Sequence, residues 1–164
     1  MKKQASKAIF VLVVASFCVY ALVLAALLFL GTRGHWSGMP LSEYIRHSVN
    51  FVPFKTIAGY VSALLHGTMN ADIPIKNLAG NLLMFAPLGF YLPYFSKKPM
   101  GLLKCLGFAA AIIVGLEALQ LFTRMGSFDI DDLLLNLLGV LVGFVVCRHT
   151  LLKWLRGEKV NFGR

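Results

Sequence analysis

Charge is scarce in this 164-residue chain. Only 14% of its residues are Asp, Glu, Lys or Arg, and just seven are acidic. Globular domains carry about 25% charged residues, so this composition cannot build a water-facing surface of ordinary extent. Cysteine is rare too. Cys18, Cys105 and Cys147 stand alone in or beside apolar runs, with neither a CxxC pair nor a disulfide framework, and read as small packing residues. His35, His47 and His66 are widely separated and unpatterned, so no metal-ligand set emerges and no cofactor is expected. There is no G-x-S-x-G and no Cys–His neighbourhood, which removes the usual signatures of nucleophilic catalysis. Nor does any motif read RNA or DNA, so nucleic acid is not an expected partner despite a formal charge of +9.

What the chain does have is apolar surface. Hydrophobic residues make up 58% of it and mean hydropathy is +0.75, values that point to an integral membrane protein. The first apolar run, residues 8–30, is free of charge. As a helix it would be about 34 Å long, enough to cross the hydrocarbon core. Lys2, Lys3 and Lys7 ahead of it would also suit a secretory signal. A cleavable core is only about 7–15 residues, however, and no convincing A-x-A site follows, so an uncleaved anchor is expected. Further spans are expected at about 77–95, 102–123 and 132–152. Pro87 lies inside the second with Gly89 beside it, which predicts a kink whose freed carbonyl neighbouring helices must cover. The expected fold is an all-α membrane protein, one domain over residues 1–164, built as a small bundle of about four transmembrane helices.

The basic residues orient it. Lys2, Lys3 and Lys7 precede the first run, Lys97, Lys98 and Lys104 follow the second, and Arg148, Lys153, Arg156, Lys159 and Arg164 follow the last. By the positive-inside rule both termini are cytoplasmic. The 124–131 turn and the long 31–76 segment then lie outside. Within that segment GTRGHWSGMP reads as loop. Phe54, Ile57, Val61, Leu64 and Leu65 share a helical face, which fits a helix lying in the outer interface of the membrane. That run is too short and polar to be favoured as a fifth span.

The polar residues inside these apolar runs carry the functional signal. An ionisable side chain at mid-span costs about 2.5–3.5 kcal/mol, so it ordinarily faces a partner or a water-filled cavity. Glu117, Gln120 and Arg124 are spaced i, i+3 and i+7 on one face of the third span. Asp132, Asn136, Gly139 and Gly143 share a face of the fourth, and the Gly139–Gly143 pair is a GxxxG that admits a close neighbour. Asn77 and Asn81 are four apart on the second. The short 124–131 turn makes the last two spans antiparallel neighbours. All three polar faces therefore point to one pocket in the outer half of the membrane.

Structural roles compete with this reading. Asn77, Asn81 and Asn136 can tie helices together, each bond worth about 0.6 kcal/mol. Asp129 or Ser127 can cap the fourth helix, with Asp131 and Asp132 favourable in its first turn. Arg124 can anchor at the interface. Glu117 is the hardest to explain structurally: burial there calls for a counter-ion, with Arg124 on its own face the nearest, or for protonation of the carboxyl.

The segments N50-F-V-P-F54, N77-L-A-G-N81-L-L-M-F85-A-P87-L-G89, E117-A-L-Q120, R124 and D129-I-D-D132-L-L-L-N136-L-L-G139-V-L-V-G143 resemble, in order and spacing, the VanZ-like membrane proteins. The resemblance covers about residues 50–143. It implies a bacterial plasma-membrane protein, and membership in the family pattern for Asn77, Asn81, Glu117, Gln120, Arg124, Asp129, Asp132 and Asn136. The founding member is associated with low-level resistance to teicoplanin, a lipid-tailed glycopeptide that targets lipid-linked wall precursor. No catalytic role is carried over, and some relatives have a further apolar segment at the carboxyl end that this chain lacks. The expected function is therefore non-enzymatic: an outer-leaflet pocket engaging lipoglycopeptide or lipid-linked envelope precursor, with membrane lipids as partners. The alternative is an intramembrane enzyme acting on such a precursor, with Glu117 and Asp132 as acid–base pair and Arg124 steering phosphate. A small transporter is a weaker reading; four spans without repeats would need a homodimer, for which the GxxxG face is the candidate contact.

Overall fold

The computed structural model describes residues 2–30 and 38–149, with side chains described for 7–30 and 38–146. Seven helices dominate: α1 (Lys2–Phe29), α2 (Leu41–Ser48), α3 (Lys55–His66), α4 (Asp72–Phe85), α5 (Leu88–Phe95), α6 (Leu102–Phe122) and α7 (Ile130–His149). Two two-residue strands, β1 (Val49–Asn50) and β2 (Phe128–Asp129), pair in parallel. Among the described residues three stretches are long and apolar enough to cross a membrane: Lys7–Phe29, Asp72–Phe95 and Leu102–Phe122. The fourth expected span corresponds to α7, about 30 Å long as a 20-residue helix. Residues 150–152 of the expected range fall outside the described residues.

The second span is broken where proline demands it. Pro87 has no N–H to give the preceding turn, so α4 ends at Phe85 and α5 resumes at Leu88. Tighter bonds bridge the break, from Gly89 N to Ala86 O (3.1 Å) and from Phe90 N to Pro87 O (3.0 Å). The broken helix lies against α7 at backbone contact distance. A Cβ on Gly139 would overlap the Leu82 carbonyl oxygen, and one on Gly143 would overlap that of Ala86. From the other side, a Cβ on Gly89 would strike Val140 O and Phe144 N of α7. The GxxxG face, weighed above as a dimer contact, is thus occupied within the chain: missing side chains let two backbones meet, which is how small residues drive helix association where lipid competes for apolar surface.

Around this contact Phe85, Leu88, Cys105, Ala109, Ile113, Val140 and Phe144 form the buried core between α4–α5, α6 and α7. α1 stands further off and reaches the bundle through side chains. Phe17, Tyr20, Tyr91 and Phe95 interlock as an aromatic cluster, Tyr20 donates to Met84 O (3.0 Å) and Tyr91 to Ser16 Oγ (3.1 Å). Outward faces carry large apolar residues such as Leu12, Leu22, Leu103, Phe122 and Val146, a surface suited to lipid and not to water. The helix expected from the stripe at Phe54–Leu65 is α3; its Val61, Leu64 and Leu65 are exposed, as is Phe54 just before it. Helix α2 and the strand pair are elements that the reading of the sequence does not anticipate.

Candidate functional site

The acidic residues at the start of α7 divide between two separate structures. Asp131 is fully buried and accepts the backbone N–H groups of Phe54 (2.5 Å), Thr56 (2.8 Å) and Ile57 (3.1 Å). These are orphan donors at the start of α3, so a carboxylate from a distant helix caps it. The bonds hold Phe54 in the left-handed region (φ 63°), a conformation that costs an L-residue about 1–2 kcal/mol. Asp129 faces the same clasp: it accepts from Thr56 Oγ1 (2.6 Å), from Asn50 Nδ2 (3.1 Å) and from the Asp131 N–H (2.9 Å). It therefore caps α7 while tying β1 and α3 to it. Asp129, named above with the pocket residues, is not part of the pocket wall; its bonds are those of a structural clasp. Asn50 and Thr56 complete this clasp; Asn50 lies in a segment that carries the family resemblance, and Thr56 in the helix expected from the Phe54–Leu65 stripe.

Arg124 also differs from expectation. It follows the last turn of α6 with φ 58°, closing the helix so that the Met125 and Gly126 N–H groups both reach Gln120 O (2.8 and 3.2 Å), a helix end usually made with glycine. Its guanidinium lies 6.0 Å from the centre of the Tyr44 ring, within range of a cation–π contact. Tyr44 is buried and donates its hydroxyl to Gly126 O, so α2 locks the α6–α7 turn. No hydrogen bond joins Arg124 to Glu117. Arg124 is not among the residues that line the pocket.

The remaining candidates come together. Asn77, Asn81, Glu117, Gln120, Asp132 and Asn136 line one partly enclosed pocket, with Leu28, Met84, Phe85, Ile113, Leu116 and Ser127 completing its wall. Its cavity volume is about 30 Å³. The pocket sits at the ends of α1 and α6, the second half of α4 and the start of α7; α4, α6 and α7 each contribute residues one turn apart on an inner face, and α1 contributes Leu28. Asn81 Nδ2 donates to Asp132 Oδ1, joining α4 to α7. Gln120 Nε2 donates to Leu28 O (3.0 Å), closing the wall against α1. Asn77 Nδ2 returns to its own helix at Ile73 O (2.9 Å).

Three pocket atoms are left without such bonds. Glu117 Oε1, Glu117 Oε2 and Asn136 Oδ1 are buried with no hydrogen-bond partner among the described residues. Glu117 is 5% exposed and Asn136 3%. Buried polar atoms are nearly always paired, so such exceptions mark a place where something else binds or where strain is held for function. Among the described residues no three His, Cys, Asp or Glu side chains gather as a metal-ion set. What the wall offers is unpaired oxygens from an acidic side chain and an amide.

The sequence matches the family described as VanZ/LLP1 over residues 17–153. That span covers most of the chain, which belongs to this family. No curated protein and no solved structure matches it.

Proposed function

Taking membership in the VanZ/LLP1 family as premise, we propose that this membrane protein reduces teicoplanin-type action at the outer leaflet of a bacterial plasma membrane. The pocket engages the polar group of either the lipid-tailed drug or the lipid-linked envelope precursor it targets. The observation that carries this reading is the unpaired Glu117–Asn136 wall. In a membrane span such a group is expensive, and it persists where it serves a binding or transfer role. With both termini cytoplasmic, as the positive-inside rule requires, the pocket opens toward the side where drug and precursor meet. The family's association with teicoplanin resistance supports the choice of drug.

Expression in a susceptible bacterium should lower the amount of labelled teicoplanin bound per cell. Vancomycin, which lacks the lipid tail, should bind as before. Equal teicoplanin binding with and without expression overturns the reading.

One observation favours a second reading. Glu117 and Asp132 share the pocket, and two carboxyls in one dry site can be tuned apart as acid and base. An enzyme acting on a lipid-linked precursor would leave a modified species in lipid extracts that disappears in Glu117→Gln. An unchanged lipid profile excludes it.

A further inference from the structure

The unpaired atoms of the pocket are all of one kind. Both carboxylate oxygens of Glu117 and the amide oxygen of Asn136 are acceptors, buried and unsatisfied among the described residues. Asp132 adds a second carboxylate to the same wall, engaged by Asn81. No Lys, Arg or His is in that wall. A phosphate presented here would meet two acidic side chains, with no cation in the wall. A donor-bearing cation meets the reverse: negative charge in a setting of low dielectric, where charge-assisted hydrogen bonds are strongest.

From this pattern we infer that the pocket takes the primary ammonium group of an amphiphile. The ammonium carries three N–H donors, matching three waiting acceptors on Glu117 and Asn136. A hydroxyl offers one donor and a quaternary ammonium none, so neither satisfies the wall. The apolar residues beside it, among them Leu28, Met84 and Leu116, accept the first methylenes of the attached chain. The inference rests on the pocket being the ligand site proposed above, and it names the chemistry of what enters. The ammonium can belong to an aminophospholipid or to another amine-bearing amphiphile.

The test uses the full chain in phosphatidylcholine nanodiscs. Thermal unfolding is followed while dodecylamine or dodecyltrimethylammonium is added. The two probes have the same charge and tail and differ in N–H donors. Dodecylamine should stabilise at concentrations about tenfold lower or less, the worth of one charge-assisted hydrogen bond. That preference should vanish in Glu117→Gln, weaken in Asn136→Leu, and persist in Asp72→Asn, which removes a carboxylate from the exposed Lys76 pair outside the pocket. Ligand-free unfolding of each variant reports whether it has folded. Native mass spectrometry then compares retained phosphatidylethanolamine with retained phosphatidylcholine. Selective retention supports the inference with a lipid as source; amine preference without it supports the inference with another amphiphile as source. Equal response to both probes, or a preference that survives Glu117→Gln, overturns it. Protection from teicoplanin without amine preference would remove this inference alone, and amine preference without protection would remove the proposed function alone.

Discussion

Replacing Gly139 with alanine puts a methyl group where the Leu82 carbonyl oxygen already sits. Real Cβ atoms essentially never come within 3.0 Å of such a neighbour, and that oxygen belongs to a helix backbone, not to a side chain that can swing aside. Helices α4 and α7 must therefore part by roughly an ångström, since close-packed interiors transmit such strain instead of absorbing it. Overpacking of this kind costs about 1–3 kcal/mol, and Gly143→Ala, meeting Ala86 O, should cost a similar amount. The same helices carry an internal control. A Cβ on Gly80 of α4 or Gly115 of α6 meets nothing within 4 Å. Alanine there should be neutral or stabilise by about 0.5–1 kcal/mol through helix propensity. Thermal unfolding in detergent or nanodiscs separates the two classes. The site should feel the change as well, because parting α4 from α7 pulls Asn81 from Asp132, so Gly139→Ala should lower protection from teicoplanin while Gly80→Ala should not. If Gly139→Ala is as stable as Gly80→Ala, the close contact of α4 with α7 is wrong.

Two further outcomes follow from the clasp and the surface. Asp131→Ala strips the partner from three backbone N–H groups at the start of α3 and should destabilise that helix by about 2–3 kcal/mol. The amides of Thr56 and Ile57 should then exchange with deuterium faster than those in the middle of α6, and unchanged protection would contradict the capping role. Lys76 and Asp72 form an exposed pair four residues apart (3.2 Å), so Lys76→Ala should shift stability by no more than about 0.5 kcal/mol. A larger loss in thermal unfolding would mean the pair is shielded from solvent.

Hydropathy and helical spacing reveal much of this architecture because both are local. The run lengths, the break at Pro87 and the helix from Lys55 can be read directly from neighbouring residues. The same holds for the shared faces of Asn77 with Asn81, Glu117 with Gln120, and Asp132 with Asn136. What resisted reading depends on contacts between distant segments. Asp129, Asp131 and Asp132 lie within four residues, yet their partners are a side-chain clasp, three backbone amides and Asn81 respectively. A backbone amide leaves no side-chain signature, so the cap on α3 is invisible in sequence. Arg124 has the right phase to face Glu117 only while α6 remains helical; its left-handed backbone ends that phase and turns the guanidinium toward Tyr44. Gly89 looked like part of a kink, but its role as the third member of the glycine contact requires knowing which face of α7 the kink meets.

The most direct test of the pocket compares teicoplanin bound by cells carrying the wild-type chain and Glu117→Gln at equal membrane abundance. This substitution keeps the side chain's size while replacing one of its two unpaired oxygens with an NH2 group that can only donate. Drug binding is predicted to rise to the level of cells lacking the protein. Protection that persists undiminished in Glu117→Gln would contradict a working pocket at this site.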